Sequence, residues 1–298
     1  ILGGGSSVNA MVYTRGQHED YDNWDRFLGG GSGWSFADML PHFMALEYNH
    51  QFQDRWHGVD GPLHVSATGA ICQLTEDYVL SVQGLGVPYN PDFNGARQLG
   101  VGTMQYTTHR NRRCNGVEAF LSQVMGDAKL TIETEATVSR VIVENGRCTG
   151  VAYVKGGAEK IARCEAEVLM AAGSYNTPKL LMLSGIGPSA HLSAMGVKVV
   201  HDLPGVGANL IDHYVIRVVH RVHGTPTVNE IARFPRVLPE ILRFAFTGEV
   251  GAALDRPHQL GGQPARRACA RGRQRRTGRA SHIDAFGLDE GVERDGVV

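Results

Sequence analysis

The sequence has no apolar run of the roughly 18 residues that a membrane-spanning helix needs, so no segment is expected to cross a bilayer. Its five cysteines, Cys72, Cys114, Cys148, Cys164 and Cys269, include no CxxC pair. That spacing argues against a zinc centre and a disulfide framework, so no metal site is assigned, and it fits a reducing, cytoplasmic location. Neither sign of charge is in excess. The 29 Lys+Arg stand against 30 Asp+Glu, a net charge of -1, so the chain as a whole is drawn to neither nucleic acid nor anionic membrane. An initiator methionine is also lacking: the chain opens Ile1-Leu2-Gly3, inside a patterned stretch, and reads as a fragment with any targeting segment left open. Glycine is what the chain has in plenty, 38 of 298 residues against an average of about 7%. Such an excess points to tight turns or to backbone that lies directly against a ligand.

Two stretches carry the strongest patterns. Val168 to Gly187 begins with the apolar run Val168-Leu169-Met170-Ala171-Ala172, which predicts a strand buried on both faces. Gly173 and Ser174 break it, Thr177 caps and Pro178 opens a helix carried by Leu180 to Leu183, and Ser184-Gly185 stops that helix. Strand, glycine turn and helix together bring backbone N–H groups and a positive helix end to a sheet edge, where an anionic or electron-rich ligand can sit. Residues 1 to 24 read ILGGGSSVNAMVYTRGQHEDYDNW. Their glycines and serines leave the backbone bare enough for a cofactor to lie against it, and Asn9 adds a side chain that both donates and accepts.

These stretches resemble the two signatures of the glucose–methanol–choline (GMC) oxidoreductases, flavoenzymes that use FAD to oxidise alcohols. The first is carried by Leu2-Gly3-Gly4-Gly5-Ser6-Ser7-Val8-Asn9 with Tyr13, Gly16 and Asp22, the second by Gly173 to Pro178, Leu180-Leu181 and Ser184 to Gly187. The run Pro204 to His213, PGVGANLIDH, and the stretch Asp92-Phe93-Asn94-Gly95 are also similar to family motifs. The resemblance implies that Gly4, Gly5, Asn9, Ala10, Met11 and Val12 line the FAD, that Gly173 belongs to the second flavin motif, and that Val138 contacts its adenine side. It further implies a small-molecule alcohol as substrate, with a histidine base taking its proton while hydride passes to the flavin. No residue is assigned as that base, His213 included, and the electron acceptor is unassigned. Members that attach flavin covalently use a histidine one place before the asparagine. Val8 stands there, so the FAD is expected to be non-covalent. The implied fold is α/β: a Rossmann-like FAD-binding domain, its N-terminal fingerprint missing, and part of an α+β substrate domain on an antiparallel sheet.

Segment by segment, the reading is a first FAD-binding part over 1–66, a substrate-side segment over 67–128, a second FAD-binding part over 129–212 and the start of the substrate domain over 213–251. Helices are predicted at 36–46, capped by Ser35, at 75–85 and at 235–246. Strands are predicted at 63–65, 130–135, 137–144, 148–154, 160–165, 197–200 and 215–222, with Asn145-Gly146 and Gly156-Gly157 as hairpin turns. His57 and His64 are taken as surface or satisfied polar residues, and Arg110, Arg112 and Arg113 as solvated surface. Residues 256 to 282 hold eight arginines, no lysine and no acid, a composition that builds no core. The segment 252–298 therefore reads as a disordered or frameshifted tail. Gly185-Ile186-Gly187-Pro188-Ser189-Ala190 fits GxGxxA but follows a helix, not a strand, and so fails as a dinucleotide fingerprint. A pyridine-nucleotide dehydrogenase and a non-catalytic remnant are the alternatives.

Overall fold

Short-range capping and turn chemistry set most of the elements. The computed structural model describes residues 1–67, 71–213, 219, 221–225, 227–247 and 260–263. Its chain divides into two units, one of Ile1–Asp127 with Arg217–Val298, the other of Ala128–Ile216.

The first unit opens on a 3-10 turn, Gly4–Ser7, and strand β1 (Val12–Tyr13). Helix α1 (His18–Phe27) follows, begun by the Asp20 carboxylate taking the Gln17 N–H at 3.0 Å. It is not among the predicted helices, because its polar sequence buries only Tyr21. Helix α2 (Phe36–Leu46) starts at the predicted cap: Ser35 Oγ accepts from the Asp38 N–H, and the Asp38 carboxylate takes the Ser35 N–H. Strands β2 (Glu47–Asn49) and β3 (Leu63–Val65) run parallel with Tyr48 opposite His64. Their connection presses on the end of α2 so closely that a Cβ on Gly58 would lie 1.8 Å from the Met44 carbonyl oxygen. Helix α3 (Gln73–Gly84) leads to β4 (Gly100–Thr103), β5 (Gln105–Tyr106), β6 (Thr108–His109) and β7 (Arg112–Arg113). β5 pairs with β1 and β7 with β6. Tyr21, Phe36, Val65, Phe93, Val101, Tyr106 and Cys114 are buried at the centre of this unit.

The second unit is built on an antiparallel meander, β8 (Thr137–Glu144), β9 (Arg147–Lys155) and β10 (Ala158–Arg163). Both predicted hairpin turns are present. Asn145 and Gly146 have φ of 54° and 75°, and Gly156 and Gly157 have φ of 61° and 80°, the left-handed pair that a two-residue hairpin needs. Helix α4 (Gly173–Leu183), β11 (Ile186–Gly187), α5 (Ser189–Ala194) and β12 (His201–Asp202) complete it, with β12 parallel to β11. Helices α6 (Val228–Ile231) and α7 (Leu238–Thr247) and strand β13 (Leu260–Gln263) belong to the first unit.

Several expectations are corrected. Residues 168–172 and 130–135 form no strand, and Leu169 is 81% exposed. A strand needs a neighbour to take its backbone hydrogen bonds, and neither run pairs with any described strand. Helix α4 begins at Gly173, one turn before the expected Thr177, and Thr177 Oγ1 accepts from the Ala172 N–H at 3.0 Å from inside the helix. The strand expected at 197–200 is replaced by a two-residue pairing at His201, after the Val200 N–H has bonded the Gly185 carbonyl. In the tail, Leu260–Gln263 pairs antiparallel with β4, against the expectation of no regular structure there. The rest of 252–298 and most of the strand expected at 215–222 lie outside the described residues.

Candidate functional site

The glycine-serine opening folds into a loop fixed by residues about a hundred positions away. Ser6 Oγ donates to the Gly3 carbonyl at 2.5 Å and accepts from the Gly116 N–H at 2.9 Å. Ser7 Oγ donates to the Leu2 carbonyl at 2.8 Å and accepts from Asn115 Nδ2 at 3.1 Å. Arg113 Nη1 reaches the carbonyls of Ser6 and Asn9 and the Asn9 side-chain oxygen, at 3.0, 2.8 and 2.7 Å. Arg113 is thus an anchor of the loop and not the solvated surface residue expected. Met11 sits at φ 65°, unusual for a residue with a side chain, and its carbonyl is held by the Thr107 N–H at 2.8 Å.

Inside this frame the expected cofactor residues Gly4, Gly5, Asn9, Ala10, Met11 and Val12 lie on one continuous stretch. A Cβ built on Gly4 or Gly5 would meet nothing within 4 Å, so the backbone there is bare and accessible. The Asn9 side-chain oxygen takes the Met11 N–H at 3.0 Å as well as Arg113, while its amino group has no protein partner among the described residues. The loop therefore offers uncovered backbone and a free donor in a shape already set. Val8 is 70% exposed.

A buried ionic chain pins the far end of the loop. Arg15, two residues past β1, donates its N–H to Asn94 Oδ1 at 2.8 Å and pairs through Nη2 with Glu47. His57 Nδ1 lies 3.0 Å from Glu47 Oε1 and its Nε2 lies 3.0 Å from Asp92 Oδ2. Burial of the imidazole opposes its charge, but hydrogen bonds and attraction from Asp92 and Glu47 outweigh it and raise its pKa to about 9. As a protonated group, His57 donates to both carboxylates, so the chain Arg15–Glu47–His57–Asp92 alternates in sign. Asn94 Nδ2 adds a bond to the Tyr13 carbonyl at 3.1 Å. His57 is buried and satisfied, not on the surface. Sequence reasoning missed Arg15 and Glu47: Arg15 lies within the first signature but is not one of the residues that carry it, and Glu47, at the C-cap of α2, belongs to no motif.

In the second unit Val138 lies on β8 and Gly173, at φ 90°, starts α4 with open space beside its Cα. The Ser184 hydroxyl accepts from the Val141 N–H at 2.8 Å and donates to the Leu180 carbonyl at 2.5 Å, tying the end of α4 to β8. The two motifs at 173–187 and 204–213 line one open groove of about 440 Å³, bounded by Ser174, Pro178, Met182, Gly207, Asn209 and Ile211. Gly185 serves packing: with φ 81°, its Cβ would lie 2.4 Å from the Lys198 carbonyl. The GxGxxA string thus needs its first glycine for chain approach, not for a nucleotide.

A family model described as GMC oxidoreductase matches residues 1–215. The chain belongs to the GMC oxidoreductase family. It is 41% identical over 213 residues to the oxygen-dependent choline dehydrogenase of Sinorhizobium medicae, covering 72% of this chain and 38% of that protein. Mitochondrial choline dehydrogenase of Homo sapiens is 41% identical over 218 residues, covering 73% of this chain and 36% of that one. Among solved structures, a formate oxidase of Aspergillus oryzae, studied for FAD modification, matches with a TM-score of 0.74 at 26% identity, over 88% of this chain and 47% of that chain. This GMC chain therefore has the fold of an FAD enzyme and spans less than half the length of each of these relatives. GMC oxidoreductases use FAD, and within the first unit the bare Gly4–Gly5 backbone and the free Asn9 amino group fit such a cofactor. Among the described residues no helix is long and apolar enough to cross a membrane, and Cys72, Cys114, Cys148 and Cys164 are free thiols.

Proposed function

We propose that this chain is the flavin-holding part of a GMC enzyme that oxidises a small alcohol, CH–OH, to an aldehyde or ketone. The observation that carries the reading is the prebuilt loop from Gly3 to Val12. Arg113, Asn115 and Gly116 hold its shape while Gly4, Gly5 and the Asn9 amino group are left for a ligand. Bound FAD supplies hydride acceptance at its flavin ring. The chain's own part is to place that ring. Gly4 and Gly5 let it approach the backbone, Asn9 donates a hydrogen bond, and Ala10 to Val12 continue the contact surface. On the same reading, Val138 and Gly173 hold the adenine side and the second flavin motif. Val8 carries no nucleophile, so the cofactor is held without a covalent bond.

The choline dehydrogenases at 41% identity support a choline-like alcohol as the substrate class. The scattered cysteines support a reducing, cytoplasmic location. No residue of this chain is assigned as the base that takes the alcohol proton, and on this reading the chain by itself holds FAD weakly and turns over no alcohol. The test is acid precipitation of the flavin-loaded protein together with a choline assay. Flavin released to the supernatant supports non-covalent binding; flavin kept in the precipitate contradicts the reading of Val8. Choline-dependent dye reduction by this chain alone would contradict its proposed inactivity.

A further inference from the structure

Three histidines of the first unit, one just past a strand and two on strands, bring their rings together. His50 follows β2, His64 sits on β3 and His109 on β6. Their backbones are fixed independently of the rings. The His50 N–H bonds the Val65 carbonyl at 2.9 Å, His64 is paired opposite Tyr48, and His109 is paired with Arg112. Ser66 and Thr108, the neighbours that join β3 to β6, share a hydrogen bond of 2.5 Å between their hydroxyls. His50 Nε2 lies 2.8 Å from His64 Nδ1, and the His64 and His109 rings stack at 3.8 Å. One ring nitrogen from each of the three lies within 4.8 Å of the others.

We propose that His50, His64 and His109 form a binding site for one first-row divalent cation of the zinc, cobalt, nickel or copper type. Imidazole nitrogen suits these ions, whereas magnesium and calcium require oxygen ligands, which this triad does not offer. A tetrahedral ion with metal–nitrogen bonds of about 2.0–2.1 Å needs ligand nitrogens roughly 3.3 Å apart. The His50–His64 separation of 2.8 Å lies below that distance, and the three nitrogens lie within 4.8 Å of one another. The His50–His64 contact must open by about half an ångström, and the His109 nitrogen must take up the same spacing, to fit that geometry. Both are side-chain rotations, since the rings now stack nearly parallel and must turn their edges to a common point. His50 is exposed and the other two are half-buried, so water can reach the cluster as a fourth ligand, and the Tyr48 ring, 4.7 Å from His50 and 4.9 Å from His64, bounds the rotation on one side. The hydrogen bond between His50 and His64 is the one the ion replaces. Arg110, next to His109, places a positive charge whose field reaches His64 and so opposes the ion. Three rings that pack only against each other would show neither ion binding nor sensitivity to Arg110.

The test uses the purified full chain, prepared without a polyhistidine tag and stripped of metal, titrated with cobalt(II) chloride and copper(II) sulfate. Expected are one ion per chain, a cobalt visible spectrum of four-coordinate type and copper electron-spin resonance with splitting from more than one nitrogen. His64→Gln and His109→Gln should each weaken binding by at least about tenfold, the loss that a mere supporting partner costs a metal site. His191→Gln, an exposed histidine on α5, should leave it unchanged, and Arg110→Gln should tighten it. Circular dichroism and melting of each variant establish that it is folded. Lack of stoichiometric binding by the wild-type chain overturns the proposal. So does equal binding by folded His64→Gln and wild-type protein, or full displacement by magnesium.

Discussion

Arg113 and Asn9 are joined twice: one guanidinium nitrogen donates to the Asn9 carbonyl at 2.8 Å and to its side-chain oxygen at 2.7 Å. This pairing takes up the acceptor end of the asparagine and leaves the amino end for a ligand. It also links the loop to β7, a hundred residues on. Removing it in Arg113→Ala should cost about 1 kcal/mol of stability, the net worth of such bonds at a part-exposed site. FAD affinity should fall by more than that stability change accounts for, because the loop is no longer held ready. Thermal melts and a flavin titration on the same preparation measure both. Unaltered affinity would show that Arg113 does not order the loop for its ligand.

The buried ionic chain gives a pH dependence with a definite sign. His57 has its pKa raised from 6.5 to about 9 in the folded protein. The stabilisation is therefore complete below the unfolded value and is lost as pH rises through the folded one. At ~1.4 kcal/mol per unit, the loss across this window is a few kcal/mol. Urea unfolding at a series of pH values from 6.5 to 9 should show falling stability. The slope should flatten in His57→Gln. A wild-type profile that stays level would mean that His57 is not held protonated.

Glu47 sits between two positive groups, Arg15 and His57, with its side chain fully buried. Glu47→Ala leaves both cations facing each other without their shared partner. Breaking a buried pair in this way typically costs ~3–5 kcal/mol. Chemical denaturation of the variant should show a loss of that order, and a loss below ~1 kcal/mol would indicate that the charges find water instead.

Ser184 belongs to the second family-like motif, yet its observed role is structural. Its hydroxyl is the acceptor for the buried Val141 N–H. Ser184→Ala strands that donor, for an expected cost of about 1–3 kcal/mol. Hydrogen exchange at Val141 should accelerate in the variant; unchanged exchange would place the protection elsewhere.

What the sequence disclosed follows from the range of the interactions involved. The Ser35–Asp38 cap and the Asn145-Gly146 and Gly156-Gly157 turns depend on residues within a few positions of each other, and all three were legible. The run 168–172 was misread because apolar composition shows that a strand would be buried but not that a partner exists to pair with it. Arg15, Glu47 and Arg113 were illegible for the same reason in reverse. Each acts on residues 32 to 107 positions away, and a single sequence carries no mark of such a pairing. The glycines of the opening loop were legible as bare backbone, while the groups that give that backbone its shape were not.

The central claim is that the bare backbone at Gly4 and Gly5 receives the flavin. Gly4 is an imperfect probe, since its φ of 55° would strain a branched side chain whether or not a ligand is present. Gly5 has open space beside it and no such φ, so Gly5→Val adds bulk where only a ligand would meet it. The measurement is a titration of FAD fluorescence with wild-type chain and Gly5→Val, with Val8→Ala as control and melting temperatures matched. The account predicts weak but saturable binding by wild type and Val8→Ala, and its loss in Gly5→Val. Equal binding by a folded Gly5→Val protein, or saturation by none of the three, would contradict it.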